Sequence, residues 1–116
     1  MWAYLIGNSA GETNQGSGAI AIGFQAGTNT DPSGNSIAIG VSAGNSGQFF
    51  NTVAIGSSAG QINQGTAAIA IGSQAGRTNQ GTNSISIGNS AGETNRGQNS
   101  IAIGVEAGTT NQGNAS

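Results

Sequence analysis

The sequence predicts an all-β protein, a single-stranded β-solenoid (a parallel β-roll) of seven stacked coils of about sixteen residues each. Three observations lead to this prediction. An Ile-Gly step recurs every 16 or 17 residues, an alternating Ile-Ala-Ile triplet leads into it in most copies, and an Ala-Gly pair follows it in every copy. The coils begin near residues 4, 20, 37, 53, 69, 85 and 101, so residues 1–116 form a single repeat domain.

Residues 69–84 show the parts of one coil in order. Ile69-Ala70-Ile71 alternates with a period of two, which is typical of a strand. Gly72 marks a corner, and a short second segment ends at Ala75-Gly76. Residues 78–81, Thr-Asn-Gln-Gly, form a polar turn where Asn and Gly accept a positive φ. Helical repeats are excluded because their units run to about 33–47 residues.

A single coil cannot bury its own isoleucines, but stacked coils can cover one another. We therefore expect the isoleucines of each triplet to point into the solenoid and the alanine of each Ala-Gly pair to close the opposite wall. The two expected inward files are Ile20, Ile37, Val53, Ile69, Ile85 and Ile101, and Ile6, Ile22, Ile39, Ile55, Ile71, Ile87 and Ile103.

On this assignment the small residues between the isoleucines form a flat, uncharged outer strip. A bare flat sheet invites association, so the strip is a candidate interface between copies. The other interpretation is that small residues merely suit a tight coil. The possible interface residues are Ser36, Ala38, Ala54, Ala70, Ser84, Ser86, Ser100 and Ala102.

Aromatic residues interrupt the repeat at a few places. Phe24, Phe49 and Phe50 form a possible aromatic patch. The phenylalanine pair either covers the loop that is lengthened by one residue at Asp31-Pro32-Ser33-Gly34 in the preceding coil, or offers a sticky binding surface. Trp2 and Tyr4 lie on the first coil, where they are expected to shield its open end.

Asparagine recurs at two repeat positions and predicts structural ladders, because stacked amides can hydrogen-bond along a fibre axis. The other interpretation is a ligand-binding role. The first file is Asn14, Asn63, Asn79, Asn95 and Asn111, and the second is Asn35, Asn51, Asn83 and Asn99.

The composition excludes several kinds of chemistry. The chain has two arginines, four acidic residues, no cysteine and no histidine, giving a net charge of −2. We therefore expect no nucleic-acid partner, no catalytic residue, no cofactor and no metal site, and the chain is not expected to be an enzyme. No apolar run approaches the roughly 18–20 residues that a membrane span needs, so we expect no membrane insertion by this segment.

Asn35-Ser36-Ile37-Ala38-Ile39-Gly40, echoed at residues 83–88 and 99–104, resembles the head repeats of trimeric autotransporter adhesins, the YadA-like family. Similar Ala-Ile-Gly repeats are known from phage and large-virus fibre proteins. The resemblance implies a left-handed β-roll that assembles as a trimer.

The leading functional hypothesis is a non-enzymatic structural or adhesive module of an extracellular fibre or adhesin head, on a cell or virion surface. Its expected partners are further copies of itself, as a trimer or a filament, and a host-surface protein or glycan. One alternative is a self-stacking filament subunit. Another is an ice-binding solenoid, for which Thr13, Thr78, Thr94 and Thr110 make one incomplete file. A third is a glycan-binding rod that uses Phe24, Phe49 or Phe50.

Overall fold

The computed structural model describes residues 3–30 and 34–116, which form eleven strands and no helix. Every strand is two or three residues long. The strands are β1 (Tyr4–Ile6), β2 (Ile20–Ile22), β3 (Asn29–Thr30), β4 (Ile37–Ile39), β5 (Ser46–Gln48), β6 (Val53–Ile55), β7 (Ile62–Gln64), β8 (Ile69–Ile71), β9 (Thr78–Gln80), β10 (Ile85–Ile87) and β11 (Ile101–Ile103).

The first sheet contains seven parallel strands in the order β1-β2-β4-β6-β8-β10-β11. Each strand pairs in register with its counterpart one coil further on, for example Ile37 with Val53 and Ile39 with Ile55. The predicted β-solenoid with aliphatic side chains stacked in register is therefore confirmed. Counted from the first strand to the last, the chain completes about six turns.

The second sheet, β3-β5-β7-β9, lies on the other side of the same coils. Isolated bridges from Thr13 to Asn29, from Thr78 to Thr94 and from Thr94 to Thr110 extend it in both directions. One coil thus consists of a first-sheet strand, a corner, a second-sheet segment and a return turn. The principal extents are 36 × 22 × 15 Å, the size expected for seven coils about 4.8 Å apart.

Left-handed backbone conformations explain much of the composition. In the coil 69–84, φ is positive at Gly72 (125°), Gln74 (60°), Gly76 (51°), Asn79 (55°) and Asn83 (57°). Glycine takes such angles without strain, and asparagine does so more readily than other residues. The tight path of each coil therefore selects Gly and Asn at its corners.

The prediction that the isoleucines point into the solenoid is wrong. In β2, β4, β6, β8 and β10 the central alanine or serine is buried and both flanking aliphatic residues are only half-buried. The core is instead a ladder of alanines from both walls: Ala21, Ala26, Ala38, Ala43, Ala54, Ala59, Ala70 and Ala75.

The narrow interior is the physical reason for this inversion. Alanine from the strand and alanine from the Ala-Gly pair already meet across the coil. A Cβ added at Gly60 would lie 2.5 Å from the amide oxygen of Gln64, and one at Gly76 would lie 2.6 Å from that of Gln80. No space remains for two isoleucines per coil, so the alternation places them outside.

Candidate functional site

The outer side of the seven-stranded sheet forms a continuous surface, which we call the isoleucine face. It consists of two parallel files of side chains, one from the first and one from the third residue of each strand. The files are Tyr4, Ile20, Ile37, Val53, Ile69, Ile85 and Ile101, and Ile6, Ile22, Ile39, Ile55, Ile71, Ile87 and Ile103.

Within the face, stacking covers each side chain from two sides and leaves its outer surface in solvent. Residues of the middle strands are half-buried, whereas Ile101 and Ile103 on the last strand are 54% and 63% exposed. The seven strands contain no charged residue. The result is a continuous apolar strip, two side chains wide, that runs the whole length of the rod.

The residues predicted to form an outer Ala/Ser interface lie inside the solenoid instead. All eight are 0–4% exposed: Ser36, Ala38, Ala54, Ala70, Ser84, Ser86, Ser100 and Ala102. The physical reason is the phase of the strand alternation, because at these strand positions the interior has room for only a small side chain. The surface offered to another copy is therefore the isoleucine face.

A repeated glutamine completes the interior and was not identified from the sequence. In each of several coils its side-chain amide donates a hydrogen bond to the carbonyl oxygen of the first strand residue of the same coil. Gln64 Nε2 reaches Val53 O at 2.8 Å, and Gln80 Nε2 reaches Ile69 O at 2.7 Å. These amides join the second sheet to the first sheet within one coil.

Arg96 occupies the glutamine position in the sixth coil and is only 4% exposed. Its guanidinium donates to Ser86 Oγ at 2.7 Å, to Ser100 Oγ at 2.7 Å and to Ile85 O at 3.3 Å. Ser86 stands where the strands of the other described coils, except the first, have alanine. Desolvation by burial lowers the pKa of Arg96 from its ordinary value.

The three phenylalanines do not form one patch. Phe24, Phe49 and Phe50 are all exposed, between 42% and 50%. Phe24 follows Gly23 at the corner that leaves the first sheet, whereas the Phe49-Phe50 pair lies on the return turn that enters it. The structure thus places them on opposite edges of the coil, with strands of the isoleucine face between. Because residues 31–33 lie outside the described residues, the predicted cover of the lengthened loop is not described either.

Tyr4 does not shield the first coil from its open end, because it belongs to the isoleucine face. Leu5 is the residue that points into the first coil, where a Cβ on Gly11 would collide with its side chain. Trp2 lies outside the described residues.

The predicted asparagine ladder is confirmed for four rungs on the second sheet. Asn63 Nδ2 donates to Asn79 Oδ1 at 3.0 Å, Asn79 to Asn95 at 2.9 Å and Asn95 to Asn111 at 3.2 Å. A shallow cavity of about 470 Å³ lies beside these rungs. It is lined by Asn79, Asn95, Arg96, Gly97, Asn111, Gln112, Gly113 and Asn114.

The remaining polar groups are dispersed over the surface. Arg77 and Glu93 of adjacent coils form an ion pair at 3.0 Å. Residues 3–30 and 34–116 contain no cluster of side chains that could hold a metal ion. In the same part of the chain, no helix is long and apolar enough to cross a membrane. The threonine file is interrupted by Asn29, Ser46 and Ile62.

Comparison of the chain with protein-family models, with curated proteins and with solved structures gives no match.

Proposed function

We propose that the chain is a non-enzymatic structural or adhesive module of an extracellular fibre or adhesin head, and that copies assemble side by side by burying the isoleucine face. The observation that carries this proposal is the pair of aliphatic files in register on one uncharged sheet. Contiguous apolar surface on a soluble rod marks an interaction site.

A second copy of the same chain suits this face better than a charged partner does. The face is apolar along its whole length, so two copies meet without unpaired charge. Complete burial of an isoleucine contributes about 1.5–3 kcal/mol relative to full exposure. The middle residues are already half-buried, so each gains only part of that amount, but twelve isoleucines contribute to the face.

The shape of the face also constrains the assembly. A strip that is narrow across the rod and continuous along it is covered best when several rods lie parallel to one another around a shared axis. The resemblance to trimeric adhesin heads favours three copies. In such a trimer the second sheet, with its asparagine ladder, stays on the outside and is available to a host-surface protein or glycan.

The proposal is tested by light scattering coupled to size exclusion on the wild type and two paired substitutions. Ile55→Lys with Ile71→Lys places two charges in the middle of the face. Ser57→Lys with Ser73→Lys is the matched control, because both serines are exposed on the neighbouring corner. We expect a discrete oligomer for the wild type and the control, and a single 11.2 kDa chain with unchanged circular dichroism for the face variant.

Two outcomes would contradict the proposal. One is a wild-type protein that stays a single chain across the concentration range. The other is a face variant that associates as strongly as the control. Either result would remove the isoleucine face as an interface between copies.

A further inference from the structure

The isoleucine face repeats itself along the rod, so it does not determine how far one copy is shifted along its neighbour. Equivalent positions of successive strands carry isoleucine in nearly every coil. Sliding one copy by a single coil, about 4.8 Å, brings isoleucine against isoleucine again. A pairing register is weakly specified where such a shift changes little. Burial of this face therefore stabilises an assembly without selecting one axial register.

The isoleucine face is also narrow for a stable contact. Its seven strands span about 29 Å along the rod, and the first and third residues of one strand lie about 7 Å apart. With the width of the side chains included, the flat area is on the order of 300 Å². A stable contact buries about 800 Å² on each partner. Residues on the two flanks of the face must therefore enter the contact as well.

One flank is formed by the residue that follows the glycine of each Ile-Gly step, a set that we call the corner file. Phe24 and Val41 are neighbours in this file, since Ser42 N donates to Phe24 O at 2.8 Å. They are 50% and 51% exposed. The polar members of the file, such as Ser57, suit the solvated rim of an interface. The whole corner file is Asn8, Phe24, Val41, Ser57, Ser73, Asn89 and Val105.

The opposite flank is formed by the return turns, and it carries the exposed pair Phe49 and Phe50. Phe50 is stacked between two other turns: a Cβ on Gly34 would lie 2.5 Å from Phe50 Cα, and Ala67 N donates to Phe50 O at 3.1 Å. Its equivalents, the turn file, are otherwise polar or glycine. The turn file is Ser17, Gly34, Phe50, Thr66, Thr82, Gln98 and Asn114. Because Phe49, Phe50 and Val41 belong to one coil, the apolar pairs of the two flanks lie at nearly the same level of the rod.

We propose that Phe24 and Val41 of one copy pack against Phe49 and Phe50 of the neighbouring copy, and that this contact fixes the axial register of the assembly. The inference rests on the side-by-side assembly proposed above. Copies that point the same way around a shared axis bring opposite flanks together. With no axial shift, the two apolar pairs cover each other. A shift of one coil replaces half of the corner pair by a polar residue of the same file and leaves aromatic surface in water.

Engineered thiols can report the register, because the chain has no cysteine. Copies with Ser73→Cys on the corner file are co-refolded with copies that carry one cysteine on the turn file. Thr82→Cys belongs to the same coil as Ser73 and reports an unshifted assembly, whereas Thr66→Cys and Gln98→Cys report shifts of one coil in either direction. A short bis-maleimide joins the thiols, and the products are quantified on denaturing gels. We expect the unshifted pair to exceed each shifted pair by about tenfold, because further burial of two half-exposed phenylalanines favours one register by a factor of this order.

Two flank variants remove the proposed contact without introducing a foreign residue. Phe49→Gly with Phe50→Thr, and Phe24→Ser with Val41→Ser, recreate residues found at the equivalent positions of other coils, so both are expected to fold. In each, the three cysteine pairs should cross-link to within about twofold of one another, since only the repeated face remains. Ile62→Thr is the matched control. It removes an apolar residue that is 41% exposed on the second sheet, and it should keep the wild-type preference.

The outcomes separate the register from the assembly itself. Equal cross-linking of the three pairs in the wild type would overturn the register proposal, as would oligomers that cross-link through none of them. An unshifted preference that survives in both flank variants would also overturn it. All three results leave side-by-side assembly standing. A wild type that remains a single chain in light scattering would overturn both proposals.

Discussion

In the sixth coil the buried Arg96 contacts the buried Ser86, and this pair of substitutions relative to the other coils gives a specific prediction. Arg96 replaces the inward glutamine, and Ser86 replaces the alanine that faces that glutamine in the neighbouring coils. Ser86→Ala removes an oxygen that accepts from the Arg96 guanidinium at 2.7 Å and from Gln80 Nε2 at 3.2 Å. The guanidinium would then keep its charge in a dry interior with one acceptor fewer.

The expected cost follows from these contacts. A hydrogen bond to a charged group contributes about 1.5–3 kcal/mol. Gln80 retains its bond to Ile69 O at 2.7 Å, so its share of the loss is small. We expect Ser86→Ala to lower the free energy of unfolding by about 2 kcal/mol. With an unfolding entropy of about 2.1 cal/mol/K per residue, a 116-residue chain then loses about 8 °C in Tm.

A double-mutant cycle followed by thermal and urea unfolding isolates the coupling. Arg96→Gln recreates the neighbouring Ala–Gln arrangement when it is combined with Ser86→Ala. In the Arg96→Gln background, Ser86→Ala is expected to lower the free energy of unfolding by less than about 0.5 kcal/mol, because an uncharged amide forms a weaker hydrogen bond to Ser86 than the guanidinium does. An equal cost of Ser86→Ala in both backgrounds would refute the reasoning. The cycle is measured in the Ile55→Lys, Ile71→Lys background if the wild type self-associates.

The same cycle has a defined pH dependence. Burial lowers the folded-state pKa of Arg96 below that of the unfolded chain. The resulting penalty is present while the folded protein keeps Arg96 protonated, and it is relieved only as the pH rises through the folded pKa. The stability difference between the wild type and Arg96→Gln should therefore be constant at every pH well below the folded-state pKa of Arg96, and it should shift in favour of the wild type only as the pH rises through that pKa.

Three further substitutions test other parts of the coil. Gln64→Leu removes the hydrogen bonds that its amide donates to Val53 O and Ala68 O and takes an acceptor away from Gln48 Nε2, so unfolding in urea should show a loss of about 1–3 kcal/mol; a neutral result would contradict the role of the glutamine as a bridge. Asn79→Val is expected to lower Tm more than Asn79→Gly, because φ is 55° and a branched side chain is strained there; the reverse order would be inconsistent with the left-handed corner. Arg77→Ala removes a partly exposed ion pair and should change the free energy of unfolding by less than about 1 kcal/mol; a larger loss would mean that Arg77 has a role beyond this pair.

The repeat spacing predicted the stacking of coils well. The Ile-Gly and Ala-Gly steps locate the corners, because glycine is the residue that takes φ near 125° at Gly72 without strain. Counterparts one coil apart then pair in register, as Val53 does with Ile69. Such information is local and repeated, so it is readable from one sequence.

The side on which the isoleucines lie could not be decided by alternation alone. A triplet such as Ile69-Ala70-Ile71 satisfies a period of two in either phase, and general hydrophobicity favours isoleucine inside. The deciding quantity is the width of the coil. The sequence contained a usable signal. With Ala75 and Gln80 also inside the coil, the interior has room at position 70 for nothing larger than a small residue.

The burial of Arg96 was harder to predict from the sequence. Lone charged residues in a repeat are usually solvated, so its burial is visible only once Ser86 and Ser100 are seen around it. The prediction of one aromatic patch was also wrong. Phe24 follows the end of a first-sheet strand and Phe49 precedes the start of one, so they lie at opposite ends of the strands, which the linear sequence does not display.

A matched pair of substitutions in one strand tests the central claim, that small residues fill the interior and isoleucines form the outer face. Ala70 is fully buried and Ile71 is half-buried. Measured by circular dichroism during thermal unfolding at low protein concentration, Ala70→Ile should abolish the folded signal, because the interior cannot hold the added volume. Ile71→Ala should fold with only a modest loss in Tm. A folded Ala70→Ile beside an unfolded Ile71→Ala would place the isoleucines inside and contradict the account.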